Sequence, residues 1–290
     1  MPPIRQDIIK LYDEYTHLSL DRRVFMDRLA QLAGGTAAAA ALLPILKANY
    51  AKAAVVPPDD PRLRIERVVF PGASGEVRGV LARPSADEGP WPGVLVIHEN
   101  RGLNPHIEDV TRRMALEGYL ALGVDFLSPK GGTPADEDHA RELIGELDPE
   151  TTTADAVAAA AYLRQHADGT GTTGAVGFCW GGGMVGNLAV ADPELDAAIV
   201  FYGRQPDPAD VPRIKARLLL NYAGLDERIN AGIPAFEAAL DQAGVPYEMH
   251  VYDGVNHAFM NDTSEARYDE TAAKLAWQRT VEFFTETLAS

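Results

Sequence analysis

The sequence has 290 residues, 46% of them hydrophobic, with one cysteine and a formal net charge of −16. This length suits one large α/β domain, and a single cysteine excludes a disulfide framework and a thiolate cluster for zinc or iron–sulfur. The acidic balance disfavours phosphate backbones and anionic lipid, so we expect no nucleic-acid partner, and no apolar run is long enough to predict a membrane anchor.

Residues 1–61 differ from the rest and are predicted to be a separate N-terminal segment. Arg22 and Arg23, followed by Phe25, a mildly apolar stretch and the small-x-small site 51–53, resemble a twin-arginine export signal. Asp27 and an acidic leader are unusual in such signals. The alternative is a helical arm over about 4–16 and 22–48 that packs on the domain or on a second subunit. Composition slightly favours periplasmic export over a cytoplasmic protein with an arm.

After a linker at 55–61, rich in proline and aspartate, the domain is predicted to span 62–290. Apolar strand-like runs alternate with helical patterns, which predicts βαβ units in a mostly parallel sheet that begins with an antiparallel hairpin. Residues 128–147 are predicted to be a surface segment. The predicted strands are 64–70, 77–83, 93–98, 121–125, 174–178, 197–202, 216–222 and 247–252, and the predicted helices are 107–117, 152–166, 182–191, 233–242 and 265–288.

The only cysteine lies in G177-F-C-W-G181, between a predicted strand and a predicted helix. Glycines two residues before and after Cys179 are typical of a nucleophile elbow, where the apex residue is held in a strained turn and larger neighbours would collide. A helix N-terminus also stabilises a thiolate. The alternative is a buried structural cysteine.

Asp226 and His257 follow two later predicted strands, in loops that contain glycine or asparagine. Strand ends of a parallel sheet meet at one edge, and the order nucleophile, acid, base matches the elbow arrangement. Separately, Asp226 could cap a helix near 230–240, and His257 could be an ordinary loop histidine. Their joint occurrence with Cys179 favours a catalytic triad.

From about residue 64 to 288 the sequence resembles the dienelactone hydrolase family of α/β-hydrolases. The resemblance implies an α/β-hydrolase fold, a doubly wound, mostly parallel sheet with helices on both faces. It also implies cysteine-dependent hydrolysis of a carboxylic ester or lactone through a thioester, without a cofactor. It assigns Glu99 a part in activating Cys179, and the backbone N–H groups of Asn100 and Trp180 to an oxyanion hole. The motifs that carry it are H98-E-N-R-G-L-N104, G177-F-C-W-G-G-G183, F201-Y-G203, A223-G-L-D226 and G254-V-N-H-A-F259.

The sequence departs from the family at its carboxylate-binding arginines. The family has an arginine four residues after the catalytic histidine, where this chain has Asn261. Dienelactone itself is therefore a doubtful substrate. We name Arg101, Tyr202, Arg204 and Asn261 as candidate substrate-binding residues, with the arginines as replacement charges or, alternatively, as surface ion pairs.

No metal site is predicted, because His98, His106, Asp109 and His139 lack a pair of histidines four residues apart on one helix. The expected partner is a small ester or lactone, and a homodimer through the arm stays open. Two other functions also stay open, namely acyl transfer or thioesterase activity on the same triad, and a non-catalytic ligand-binding module.

Overall fold

A computed structural model describes residues 4–17, 20–47, 49, 55–85 and 89–288. Eight strands form one sheet in the order β1-β2-β4-β3-β5-β6-β7-β8. β1 and β2 form the predicted antiparallel hairpin, β2 is also antiparallel to β4, and every later pairing is parallel. The strands are β1 (Leu63–Gly72), β2 (Gly75–Pro84), β3 (Trp91–Ile97), β4 (Leu120–Asp125), β5 (Gly169–Phe178), β6 (Ala197–Phe201), β7 (Arg217–Ala223) and β8 (Tyr247–Tyr252).

Helices cover both faces of this sheet, as the resemblance implied. α4 and α10 pack on one face, and α6, α7 and α9 pack on the other. Central strands serve both cores: Val94 and Val96 of β3 face one, while Leu95 and Ile97 face the other, which explains their continuous apolar sequence. The helices are α1 (Gln6–His17), α2 (Arg22–Ala33), α3 (Thr36–Leu46), α4 (Pro105–Leu116), α5 (Glu137–Gly145), α6 (Pro149–Arg164), α7 (Trp180–Ala191), α8 (Glu227–Asn230), α9 (Ile233–Ala243) and α10 (Glu270–Leu288).

The segment predicted as a surface excursion, 128–147, contains the helix α5, which the sequence analysis did not predict. Asp136 caps α5, since its carboxylate accepts a hydrogen bond of 2.8 Å from the His139 N–H. Ala140 and Ile144 of this helix pack with Leu127 in a small buried cluster. α5 therefore becomes one wall above the edge of the sheet.

The N-terminal segment folds into α1, α2 and α3, which share a small core of their own. Tyr12 and Tyr15 of α1 pack with Phe25 of α2, and the Tyr15 and Phe25 rings stack at 4.4 Å. Arg22 of the twin-arginine pair binds Asp138 at 2.7 Å. The small-x-small site at 51–53 lies outside the described residues. Export therefore stays a prediction.

In the part of the chain that the structure describes, no single helix is long and apolar enough to cross a membrane. α2 and α3 reach the required length and apolar composition only when they are counted as one helix, and a bend of 109° separates them.

The linker before the domain is held at Val56. Its N–H donates to Asp109 Oδ1 at 2.8 Å, and its carbonyl accepts from Arg112 Nε at the same distance. The described part of the linker is thus fixed to α4 at Val56.

Candidate active site

Cys179 lies at the turn between β5 and α7, with φ 57° and ψ −115°. A Cβ added to Gly177 would lie 2.2 Å from the Gly181 carbonyl oxygen, and one added to Gly181 would lie 2.4 Å from the His98 carbonyl oxygen. Both glycines are therefore required by contact with backbone. This geometry is that of the predicted nucleophile elbow.

Strained backbone conformations cluster around Cys179 and His257. Among the residues that the structure describes, three other than glycine have a positive φ: Cys179, Tyr202 at 40° and Ala258 at 65°. Tyr202 follows β6, and Ala258 directly follows His257. Such conformations cost about 1–3 kcal/mol each and cluster at functional sites.

His257 and Asp226 form a buried pair beside the elbow. His257 Nδ1 lies 2.5 Å from Asp226 Oδ2, and Asp226 Oδ1 accepts from the Ile229 N–H at 3.2 Å. The aspartate therefore orients the imidazole and also caps α8, whereas the predicted cap was for a helix near 230–240, where α9 has Gly232 at its N-cap. Burial lowers the pKa of His257, but the charge of Cys179 and the hydrogen bond to Asp226 outweigh burial and raise it to about 10.

The hydrogen-bond partner of the cysteine is a residue that the sequence analysis missed. Nε2 of His17, the last residue of α1, lies 3.1 Å from Cys179 Sγ. The rings of His17 and His257 meet edge to face with centroids 4.4 Å apart. The side-chain nitrogen and sulfur atoms of His17, Cys179 and His257 all lie within 4.8 Å of one another.

The tautomer of His17 follows from its other contacts. Its Nδ1 lies 3.0 Å from the Asp13 carbonyl oxygen, which only accepts, so Nδ1 carries the proton. Burial lowers the pKa of His17 well below its ordinary value, and the positive charges of His257 and Arg228 lower it further. The ring is therefore neutral near pH 7, and its unprotonated Nε2 faces Cys179 Sγ.

Glu99 is buried at the end of β3 and binds Asn261. Asn261 Nδ2 donates to Glu99 Oε2 at 2.7 Å, while Asn261 Oδ1 accepts from the Thr263 N–H and hydroxyl. Asn261 is 1% exposed. The structure thus places Asn261 behind Glu99, as a residue that holds the carboxylate, and not at the surface of the cleft.

The predicted oxyanion-hole residues flank the cysteine. Trp180 is the first residue of α7, where N–H groups lack intrahelical partners, and its ring stacks on His98 at 5.2 Å. The Asn100 side chain donates to the Thr16 carbonyl at 2.7 Å. Both line the cleft at Cys179.

The other three candidate substrate-binding residues lie in three different surroundings. Arg101 is buried and donates to the Tyr12 hydroxyl at 3.1 Å, with Glu137 at 3.4 Å, so it binds the arm and α5. The Tyr202 ring lies 4.9 Å from that of His257. Arg204 is exposed. Of these, Tyr202 and Arg204 line the cleft.

The cleft has a volume of about 410 Å³ and opens directly over the cysteine. Its walls come from the arm, the carboxyl edge of the sheet and α5. The strand ends bring Cys179, His257, Tyr202 and Asn100 together there. The lining residues not predicted from the sequence are Thr16, His17, Arg141, Glu142, Ile144, Gly145, Arg228 and Ile229.

Comparison with known proteins places the chain in one family. The model of the dienelactone hydrolase family matches residues 77–288. A Saccharolobus solfataricus protein named "Putative carboxymethylenebutenolidase" is 32% identical over 258 residues, which cover 76% of this chain and 98% of that protein. "Putative hydrolase fragment YghX" of Escherichia coli is 50% identical over 113 residues, 38% of this chain and 97% of that one.

A solved structure shows the same architecture. The crystal structure titled as a putative dienelactone hydrolase from Klebsiella pneumoniae superposes with a TM-score of 0.70 at 29% identity, over 77% of this chain and 99% of that one. The chain therefore belongs to the dienelactone hydrolase family, and it is an ester or lactone hydrolase with the α/β-hydrolase fold.

Proposed function

We propose that the chain hydrolyses a small carboxylic ester or lactone by covalent catalysis at Cys179. The observation that carries the proposal is the meeting of the Cys179 elbow with the His257–Asp226 pair at one edge of the sheet. His257 takes the thiol proton, and the sulfur attacks the ester carbonyl while the C–O bond to the alcohol breaks. His257 returns the proton to the leaving alkoxide.

Water then attacks the thioester carbonyl, His257 takes the proton from that water, and the C–S bond breaks to give the acid and restored thiol. The backbone N–H groups of Trp180 and Asn100 are the proposed donors to the oxyanion of both steps, and one such donor is typically worth about 3 kcal/mol. Burial raises the pKa of Tyr202 well above its ordinary value, and the charges of Glu99 and Cys179 raise it further, so Tyr202 lies near both groups. No step requires a cofactor.

Cationic side chains at the cleft predict a preference for substrates that carry a negative charge. Arg204 and Arg228 line the cleft, whereas Arg101 binds the arm and Asn261 binds Glu99. Tyr202 and Arg204 are thus the predicted substrate-binding residues that support the proposal. An ester or lactone that carries a carboxylate would meet Arg204 or Arg228.

The test is turnover of p-nitrophenyl acetate by variants of the full chain. Cys179→Ala and His257→Ala are expected to lower kcat by about 10³-fold or more, because the triad acts as a unit. His139→Ala, at an exposed histidine on α5, is the control and should keep wild-type turnover. Unchanged turnover in Cys179→Ala would overturn the proposal. A product distribution that shifts to added alcohols or thiols would instead favour acyl transfer.

A further inference from the structure

The active site contains one imidazole more than a triad requires. His17 comes from α1, contacts Cys179 Sγ at 3.1 Å and stands edge to face against His257. Within the described residues, His257 Nε2 has no hydrogen-bond partner although it is buried. Two ring nitrogens and one sulfur therefore converge on the same space.

Both rings are held by their other nitrogen. His257 Nδ1 binds the Asp226 carboxylate at 2.5 Å, and His17 Nδ1 lies 3.0 Å from the Asp13 carbonyl oxygen and 3.0 Å from Thr16 Oγ1. Histidines that bind metal ions characteristically donate the second ring N–H to a carboxylate or a carbonyl. Each Nε2 is thereby held in a position that faces Sγ.

We propose that Cys179, His17 and His257 form a binding site for one thiophilic divalent cation of the Zn²⁺ class, and that its occupancy blocks the nucleophile. Tetrahedral zinc with Zn–S near 2.3 Å and Zn–N near 2.0–2.1 Å separates its ligand atoms by about 3.5 Å. The present separations range from 3.1 Å between His17 Nε2 and Cys179 Sγ up to at most 4.8 Å, so they bracket this value. The one proton that Cys179 and His257 share leaves to solvent as the cation binds, which frees both the sulfur and the His257 nitrogen, and the cleft leaves room for water as a fourth ligand.

Charge at the cleft determines which cations the site accepts. Arg141, Arg204 and Arg228 line the same cleft and oppose a cation electrostatically, and they outnumber the carboxylate of Glu142 in that lining. Affinity must therefore come from the bonds to sulfur and imidazole, which favour Zn²⁺, Cd²⁺ and Co²⁺, whereas Mg²⁺ and Ca²⁺ prefer oxygen ligands. We expect no competition from Mg²⁺ or Ca²⁺.

The experiment is a titration of the reduced, metal-free full chain with Co²⁺, then Zn²⁺, followed by absorbance. Because the chain has one cysteine, a thiolate-to-cobalt charge-transfer band can report only Cys179. We expect one equivalent to produce the band and Zn²⁺ to displace it. Zn²⁺ should also protect Cys179 from iodoacetamide and abolish p-nitrophenyl acetate turnover at the same occupancy.

His17→Ala is expected to weaken Co²⁺ and Zn²⁺ binding by about 100-fold or more, since loss of outer-shell partners alone costs 10–100-fold. The matched control His139→Ala should bind as the wild type does. His17→Gln, which can still bond the Asp13 carbonyl, serves as a second variant, and thermal unfolding establishes that each variant is folded.

A missing thiolate band, or equal affinity in the wild type and His17→Ala, would overturn the metal site. Full turnover with the site occupied would overturn the blocking step. Only the blocking step rests on the proposed function: the cobalt band requires no catalysis, so a failed Cys179→Ala assay and a failed metal titration are distinguishable.

Discussion

At the scale of single residues, Cys179 stands between two imidazoles in opposite states. Burial and the positive charges of His257 and Arg228 lower the pKa of His17 and keep it neutral, while the charge of Cys179 and the hydrogen bond to Asp226 favour the protonated form of His257. The same sulfur therefore has a proton acceptor on one side and an imidazolium on the other.

This account predicts a pKa change in the Cys179→Ala variant. Burial lowers the pKa of His257, and the charge of Cys179 is the largest effect that opposes it and holds the value at about 10. Removing the sulfur leaves burial opposed mainly by Asp226, so His257 should lose its proton at a lower pH than in the wild type. An NMR titration of the imidazole resonances measures this. Identical titration of His257 in both proteins would contradict the account.

At the scale of elements, the arm is bound to the domain by contacts of unequal strength. Arg267, whose side chain is 2% exposed, binds Asp13 of α1 at 3.1 Å, and its guanidinium lies over the Tyr12 ring. Lys10 and Glu227, both exposed, pair at 3.0 Å. A buried charge that loses its partner costs far more than a surface pair does.

Asp13→Ala is therefore expected to weaken attachment of α1 by about 2–3 kcal/mol, because it leaves the Arg267 guanidinium buried without this carboxylate. Lys10→Ala, the matched control at the exposed pair, should cost less than about 1 kcal/mol. Hydrogen exchange of the α1 amides measures both, and iodoacetamide should label Cys179 faster in Asp13→Ala. Equal exchange in the two variants would show that the buried pair does not hold the arm.

The arm also bears on the export prediction. Cleavage at 51–53 would remove His17 together with the contacts of Tyr12 and Asp13. We expect the arm to stay with the domain, because it lines the cleft and shares buried contacts with the domain. A processed protein would carry the triad with neither His17 nor the metal site.

At the scale of the whole molecule, the order of strands and helices in the domain could be predicted from the hydrophobic pattern of the sequence. Each predicted strand and domain helix is present, because continuous apolar runs such as 93–98 can be buried on both faces only in a covered sheet. The two glycines around Cys179 predicted a turn that the backbone contacts require.

Contacts between distant segments could not be predicted in this way. His17 lies 162 positions before Cys179, and nothing in its local pattern indicates that α1 ends at the cysteine. Asn261 looked like a substrate-binding residue by alignment with a family arginine, and only the fold shows its bond to Glu99. The cap of α5 at Asp136 was a local signal that could have been found.

The central claim is that the sulfur of Cys179 carries the acyl group, and acid quenching during p-nitrophenyl acetate turnover tests it most directly. Peptide mapping by mass spectrometry should find the acetyl group on the peptide that contains Cys179, labile to hydroxylamine, and absent from Cys179→Ala. An acetyl group on another residue that forms and decays at the rate of turnover would contradict the account.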